Sequence, residues 1–100
     1  MVRFMRSARV APGKILEAMS FATEIVDYLK KFEGHPPLQV FVDIFGDITT
    51  IRWIRDHKDL ASLEKVANQL RTDQEYLEKV DNAGSLFIPG SIQDIVMRSL

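Results

Sequence analysis

Asp43 and Arg52 are the pair in this chain whose types and spacing best suit chemistry. They flank Gly46-Asp47, a dipeptide suited to a two-residue hairpin turn, since such turns need backbone with positive φ. Folding about it puts Phe45 opposite Ile48, Asp43 opposite Thr50, Phe41 opposite Arg52 and Val40 opposite Trp53. Asp43 and Arg52 then lie diagonally across the hairpin, within reach of each other. A half-buried carboxylate in that position could serve as a general base, and the guanidinium could hold a carboxylate or enolate oxygen. The same residue types also make structural ion pairs, or charges that fix register at an interface. Both readings stand at this level.

His57 is the third candidate, because it follows the hairpin at a strand-to-helix junction. The only other histidine, His35, precedes the hairpin, and no H-x-x-x-H spacing places two imidazoles on one helix face. Two solvated loop histidines are expected, and no metal site. Arg3, Arg6 and Arg9 cannot share one face of a strand, because Arg6 has the opposite parity. Arg6 is therefore a candidate for anion recognition in a pocket, against the simpler reading of charges snorkelling from strand ends. The sequence has no cysteine, and it contains no G-x-S-x-G, H-E-x-x-H or phosphate-cradling glycine loop. No cofactor is expected.

These residues need elements to position them. Residues 2–10 read as a first strand, broken at Pro12-Gly13. From about Lys14 to Phe32, Ile15, Ala18, Met19, Ala22, Ile25, Val26 and Leu29 recur at helical spacing, and Gly34 suits a C-cap. In the hairpin, alternation puts Leu38, Val40, Val42, Ile44, Ile51 and Trp53 on one face, suited to a helix-covered core. Phe41, Asp43, Phe45, Thr50, Arg52 and Ile54 occupy the other. Asp56 or Asp59 can cap a helix with the stripe Leu60, Leu63, Val66, Ala67 and Leu70. Thr72-Asp73-Gln74-Glu75 reads as a capping box opening a separate short helix that buries Tyr76, Leu77 and Val80. After an apolar bend at Leu86–Gly90, Ile92–Arg98 reads as the last strand.

The order is βαββαβ with an extra short helix: an α+β, ferredoxin-like fold with an antiparallel sheet, in a single domain over residues 1–100. Helices cover one face of such a sheet. The bare face would carry Phe41, Phe45, Ile54 and either Phe4 or Met5, and the most economical cover is a second copy of the chain.

Composition narrows the partners. A net charge of −1 argues against nucleic acid and anionic membrane. Strand 3 also lacks the glycine and paired aromatics of RNA-recognition sheets. No apolar run approaches a membrane span, and the arginine-rich first ten residues do not resemble a leader, so a cytoplasmic protein is expected.

Several short segments resemble the dimeric α/β-barrel superfamily, and within it the NIPSNAP-like group. They are Val10-Ala11-Pro12-Gly13-Lys14, Phe45-Gly46-Asp47, Ile51-Arg52-Trp53 leading to Asp59-Leu60-Ala61-Ser62-Leu63-Glu64, and Leu86-Phe87-Ile88-Pro89-Gly90-Ser91. The resemblance implies that two protomers pack sheet against sheet as a dimeric α/β barrel. That superfamily includes cofactor-independent and haem-degrading monooxygenases and isomerases. Its monooxygenase-like members carry a histidine in the helix after strand 3, where this chain has Lys65 and Val66. The departure weighs against inheriting haem or quinone chemistry. The expected function is therefore a homodimer that binds a small hydrophobic or aromatic molecule, such as an organic acid, in or beside the barrel. Phe41, Phe45, Arg52, Ile54 and Arg6 would line the site. A monooxygenase- or isomerase-like enzyme and a non-catalytic structural module are the alternatives, and the sequence leaves open whether the protein is an enzyme.

Overall fold

Pro12 and Gly13, the latter with φ of +76°, turn the chain out of its first strand and into its first helix. The computed structural model describes residues 1–47 and 49–100. In order these form β1 (Val2–Arg9), α1 (Ile15–Leu29), β2 (Leu38–Val42), β3 (Thr50–His57), α2 (Leu60–Arg71), α3 (Gln74–Asn82), a 3-10 turn at Gly84–Leu86, and β4 (Gln93–Arg98). The strands make one antiparallel sheet in the order β2-β3-β1-β4. This is the expected ferredoxin-like arrangement, with α3 as the additional helix.

The hairpin register is as read from the sequence: Val40 pairs with Trp53 and Phe41 with Arg52. Ile51 and Trp53 therefore point under the helices, where they pack with Ala8, Val10, Ala18 and Ala22. Alanine at both central positions of the inner stripe of α1 lets that helix approach the sheet closely; neither exposes more than 2% of its surface. Across β1, Arg6 pairs with Trp53 and Met5 with Ile54. Phe4 and Arg6 thus face the helices, while Arg3, Met5, Ser7 and Arg9 face the open side.

The connections depart from expectation. The hairpin ladder ends at Val42 and Ile51, with one further bond from the Asp43 amide to the Thr50 carbonyl at 3.1 Å. Asp47 closes a wider loop than a two-residue turn. Its carboxylate accepts from the Thr49 amide and hydroxyl, its carbonyl accepts from the Thr50 amide, and Gly46 supplies the positive φ. Ile44, expected on the core face, is 76% exposed in this loop, and Phe45 is 87% exposed. The expected pairing of Phe45 with Ile48 lies outside the described residues.

Helix α1 stops at Leu29, short of Phe32, because the Lys30, Lys31 and Phe32 amides bond three residues back and tighten the last turn. Gly34 serves the following turn, with φ of +79°, and is not the cap. Asp59, not Asp56, caps α2 by accepting from the Ser62 amide at 2.8 Å. The cap of α3 is Asp73, accepting from the Tyr76 amide, because Thr72 is already occupied as the C-cap of α2. Met19, Leu60 and Leu77 are exposed, each at the margin of its helix's apolar stripe. Strand β4 begins at Gln93, one residue later than read. No helix among the described residues is long and apolar enough to cross a membrane.

Candidate functional site

Parity along β3 decides how the candidate residues are distributed, because even-numbered positions face the open side and odd-numbered ones the helices. Asp43 and Arg52 meet on the open face. Arg52 donates from Nε and Nη2 to the two carboxylate oxygens at 2.9 and 3.0 Å, a bidentate pair. Those bonds hold the Asp43 carboxyl below the usual carboxylate range and keep it ionised. Phe41 and Ile54 share this face, while Phe45 stands out in the hairpin loop. Arg3 and Arg9 also lie here, paired with Asp56 and Asp47.

His57 and Arg6 are on the opposite side of the sheet. The three catalytic candidates therefore do not converge: the sheet separates His57 from Asp43 and Arg52. His57 is the last residue of β3 and is buried, contrary to the expected solvated loop position. Its Nδ1 lies 3.3 Å from the Ser62 hydroxyl at the start of α2. Burial, aided by the Arg55 charge, lowers its pKa and keeps the ring neutral. His35 stacks on Phe32 and is hydrogen-bonded to Gln69. Among the described residues no three histidines, cysteines or carboxylates gather as metal ligands.

On the helix side the structure contains a pocket of about 500 Å³, bounded by the sheet, the three helices and the segment before β4. Its walls are mostly apolar, with Phe21 and Ile25 from α1, Leu63 and Val66 from α2, and Val80 from α3. The pocket is a half-open cleft between the sheet and the helices and not a void sealed inside the core. It falls within the range of small-molecule sites. Trp53 lines it, held edge-on against Phe21 and Phe87. The same segment is tied to the end of β1 by the Ile88 amide on the Arg9 carbonyl and the Ala11 amide on the Leu86 carbonyl.

The polar groups of the pocket are few. Arg6 makes a bidentate pair with Asp94 of β4 at 2.7 and 2.8 Å, which neutralises both. Tyr76, in the first turn of α3, lines the pocket with Arg6 and Arg55. Arg55 is 5% exposed, and its Nε has no hydrogen-bond partner among the described residues. Burial pushes its pKa down, yet a guanidinium stays protonated at any physiological pH. Trp53 Nε1 is likewise buried without a partner.

Sequence reasoning placed Arg6 and His57 among the candidates but missed Arg55, Tyr76 and Asp94. A signal for Arg55 was present: continuing the odd-numbered core face of β3 by one step from Trp53 reaches an arginine where an apolar residue belongs. No such signal existed for Asp94, whose partner Arg6 lies at the other end of the chain.

No protein-family model matches the sequence, and no curated protein is similar to it. Solved structures do share the fold. A NIPSNAP family protein of unknown function from Agrobacterium tumefaciens superposes with a TM-score of 0.78 at 18% identity, over 97% of this chain and 86% of that one. A NIPSNAP domain protein from Burkholderia xenovorans gives 0.79 at 12% identity, over 100% and 95%. An antibiotic biosynthesis monooxygenase gives 0.76 at 15% identity, over 100% and 99%. At these identities the likeness establishes a shared ferredoxin-like architecture, the one the sequence resemblance implied.

Proposed function

We propose that this protein binds a small hydrophobic or aromatic molecule in the pocket between sheet and helices, and does so as a homodimer paired through its open sheet face. The observation that carries the binding reading is the pocket itself, about 500 Å³ of apolar-walled space in a 100-residue chain. Support for the dimer comes from the open face, where Phe41, Ile54, Met5 and Ile95 form an apolar patch. The charges around that patch are already paired within the protomer, so what it lacks is apolar cover. A second copy offers an identical patch. On this reading Asp43 and Arg52 pin the interface, and Arg6 and His57 line the ligand site.

Trp53 is the single tryptophan and lies in the pocket wall, so its emission reports occupancy. Titration with the neutral probe N-phenyl-1-naphthylamine should change that emission saturably. Ala67→Phe, which fills the pocket from α2, should abolish the change with the fold intact. Absence of any saturable change in the unaltered protein would leave the structural-module reading. A monooxygenase- or isomerase-like activity is a second reading, favoured by one observation: His57 is a neutral imidazole in the pocket wall, the form that can accept a proton. Turnover of a bound ligand that His57→Gln abolishes without weakening binding would select it.

A further inference from the structure

An unpaired charge is out of place in the wall of an apolar pocket. Removing a guanidinium from water is costly unless a partner compensates, and buried arginines are normally paired. Arg55 is nine-tenths buried or more, has no ion-pair partner among the described residues, and leaves Nε without an acceptor. Its neighbours do not relieve it. Asp94 is committed to Arg6 through both oxygens, and His57 is neutral. Trp53, the next residue along the same face of β3, adds a second buried donor without an acceptor. Arginine and tryptophan side chains donate hydrogen bonds and accept none. The site therefore offers a fixed positive charge with no carboxylate partner among the described residues, beneath walls of leucine, valine and phenylalanine.

We infer that the ligand of this pocket is an amphipathic organic carboxylate, its carboxylate seated on Arg55 and its hydrocarbon body lying between α1, α2 and α3. A carboxylate matches the planar guanidinium fork and supplies both its acceptors and its counter-charge. The assignment rests on the pocket being a ligand site. It places the anchor on Arg55, on the covered face, and not on Arg52, whose Nε and Nη2 are already engaged by Asp43 on the other side of the sheet.

Paired titrations read by Trp53 emission test it: 1-naphthoate against 1-naphthamide, and decanoate against decanamide, with N-phenyl-1-naphthylamine as the neutral control. The two carboxylates distinguish an aromatic from an aliphatic body. At least one should bind roughly 10- to 100-fold more tightly than its amide, the range for a hydrogen-bonded charged group. That ratio should fall to near one in Arg55→Met, while the neutral probe binds as before. The unliganded Arg55→Met protein should melt no lower than the parent, because the variant removes a buried charge that has no partner. If carboxylate and amide bind equally while the neutral probe still fills the pocket, the anion assignment is overturned and the pocket reading survives. If nothing binds, both fall. The comparison in the unaltered protein decides the matter even if Arg55→Met fails to fold.

Discussion

The two faces of the sheet treat charge in opposite ways. On the open face every arginine has a carboxylate across the strands: Arg3 with Asp56, Arg9 with Asp47, Arg52 with Asp43. On the helix-covered face Arg6 has Asp94, and Arg55 has no carboxylate partner among the described residues. Solvent could have satisfied the first set without partners, yet they are paired. The buried charge, which needs a partner most, has none. A face whose charges are internally balanced asks only for apolar cover, which another copy of the same surface can provide. A face with an unbalanced buried charge asks for a counter-ion. The contrast is the ground for proposing assembly on one side of a single sheet and ligand on the other.

The sharpest way to break this comparison is to truncate equivalent residues on the two faces. Ile51→Ala, on the covered face, should cost about 2–5 kcal/mol in denaturant unfolding whatever the protein concentration. Ile54→Ala, on the open face, should cost little in dilute solution and more as concentration rises, because in the proposed dimer its cover would come from the second copy. Equal, concentration-independent losses would make the faces equivalent and retire the dimer. Phe41→Glu should follow next in size. Phe41 is 49% exposed within the protomer, so the expected product is a folded monomer, seen by sedimentation velocity beside a dimeric parent. An unaltered dimer would move the interface elsewhere.

Acid should then distinguish the faces through His57. Its folded pKa is depressed by burial below the ordinary 6.5. Its stabilising contribution is therefore present above about pH 6.5 and is lost as pH falls from there through the depressed folded value. His57→Gln should flatten that part of the pH–stability curve, and an unchanged slope would show that the ring is not buried neutral. The smallest effect belongs to the open-face ion pair. Asp43→Asn and Arg52→Met should each lower the unfolding midpoint slightly, and the double variant should recover part of the loss. Neither should alter ligand affinity. Loss of ligand binding in Arg52→Met, with the dimer intact, would return the anchor to the open face.

The hairpin illustrates how much was legible beforehand. One turn dipeptide and a period of two were enough to pair Phe41 with Arg52 and Val40 with Trp53, because register in a hairpin is local. The same reasoning overextended the strands. It put Ile44 in the core, whereas the Asp47 side chain closes a wider loop by bonding to Thr49 and leaves Ile44 outside. For the site, Arg6 and His57 were recognisable as chemically capable, but the pocket that joins them was not.

Alternation along each strand by itself determined which residues share a face, and helical periodicity determined which elements must cover one of those faces. Together they fix a ferredoxin-like sheet. Only the tertiary structure decided that Arg6 and not Arg3 or Arg9 turns toward the helices, that Asp94 reaches it from the far end of the chain, and that Arg55 has no carboxylate partner among the described residues. The physical reason is range. Side-chain direction follows from the geometry of adjacent peptide units, whereas the pairing of a buried charge, and the space left between helices and sheet, depend on segments that meet only when the chain has folded.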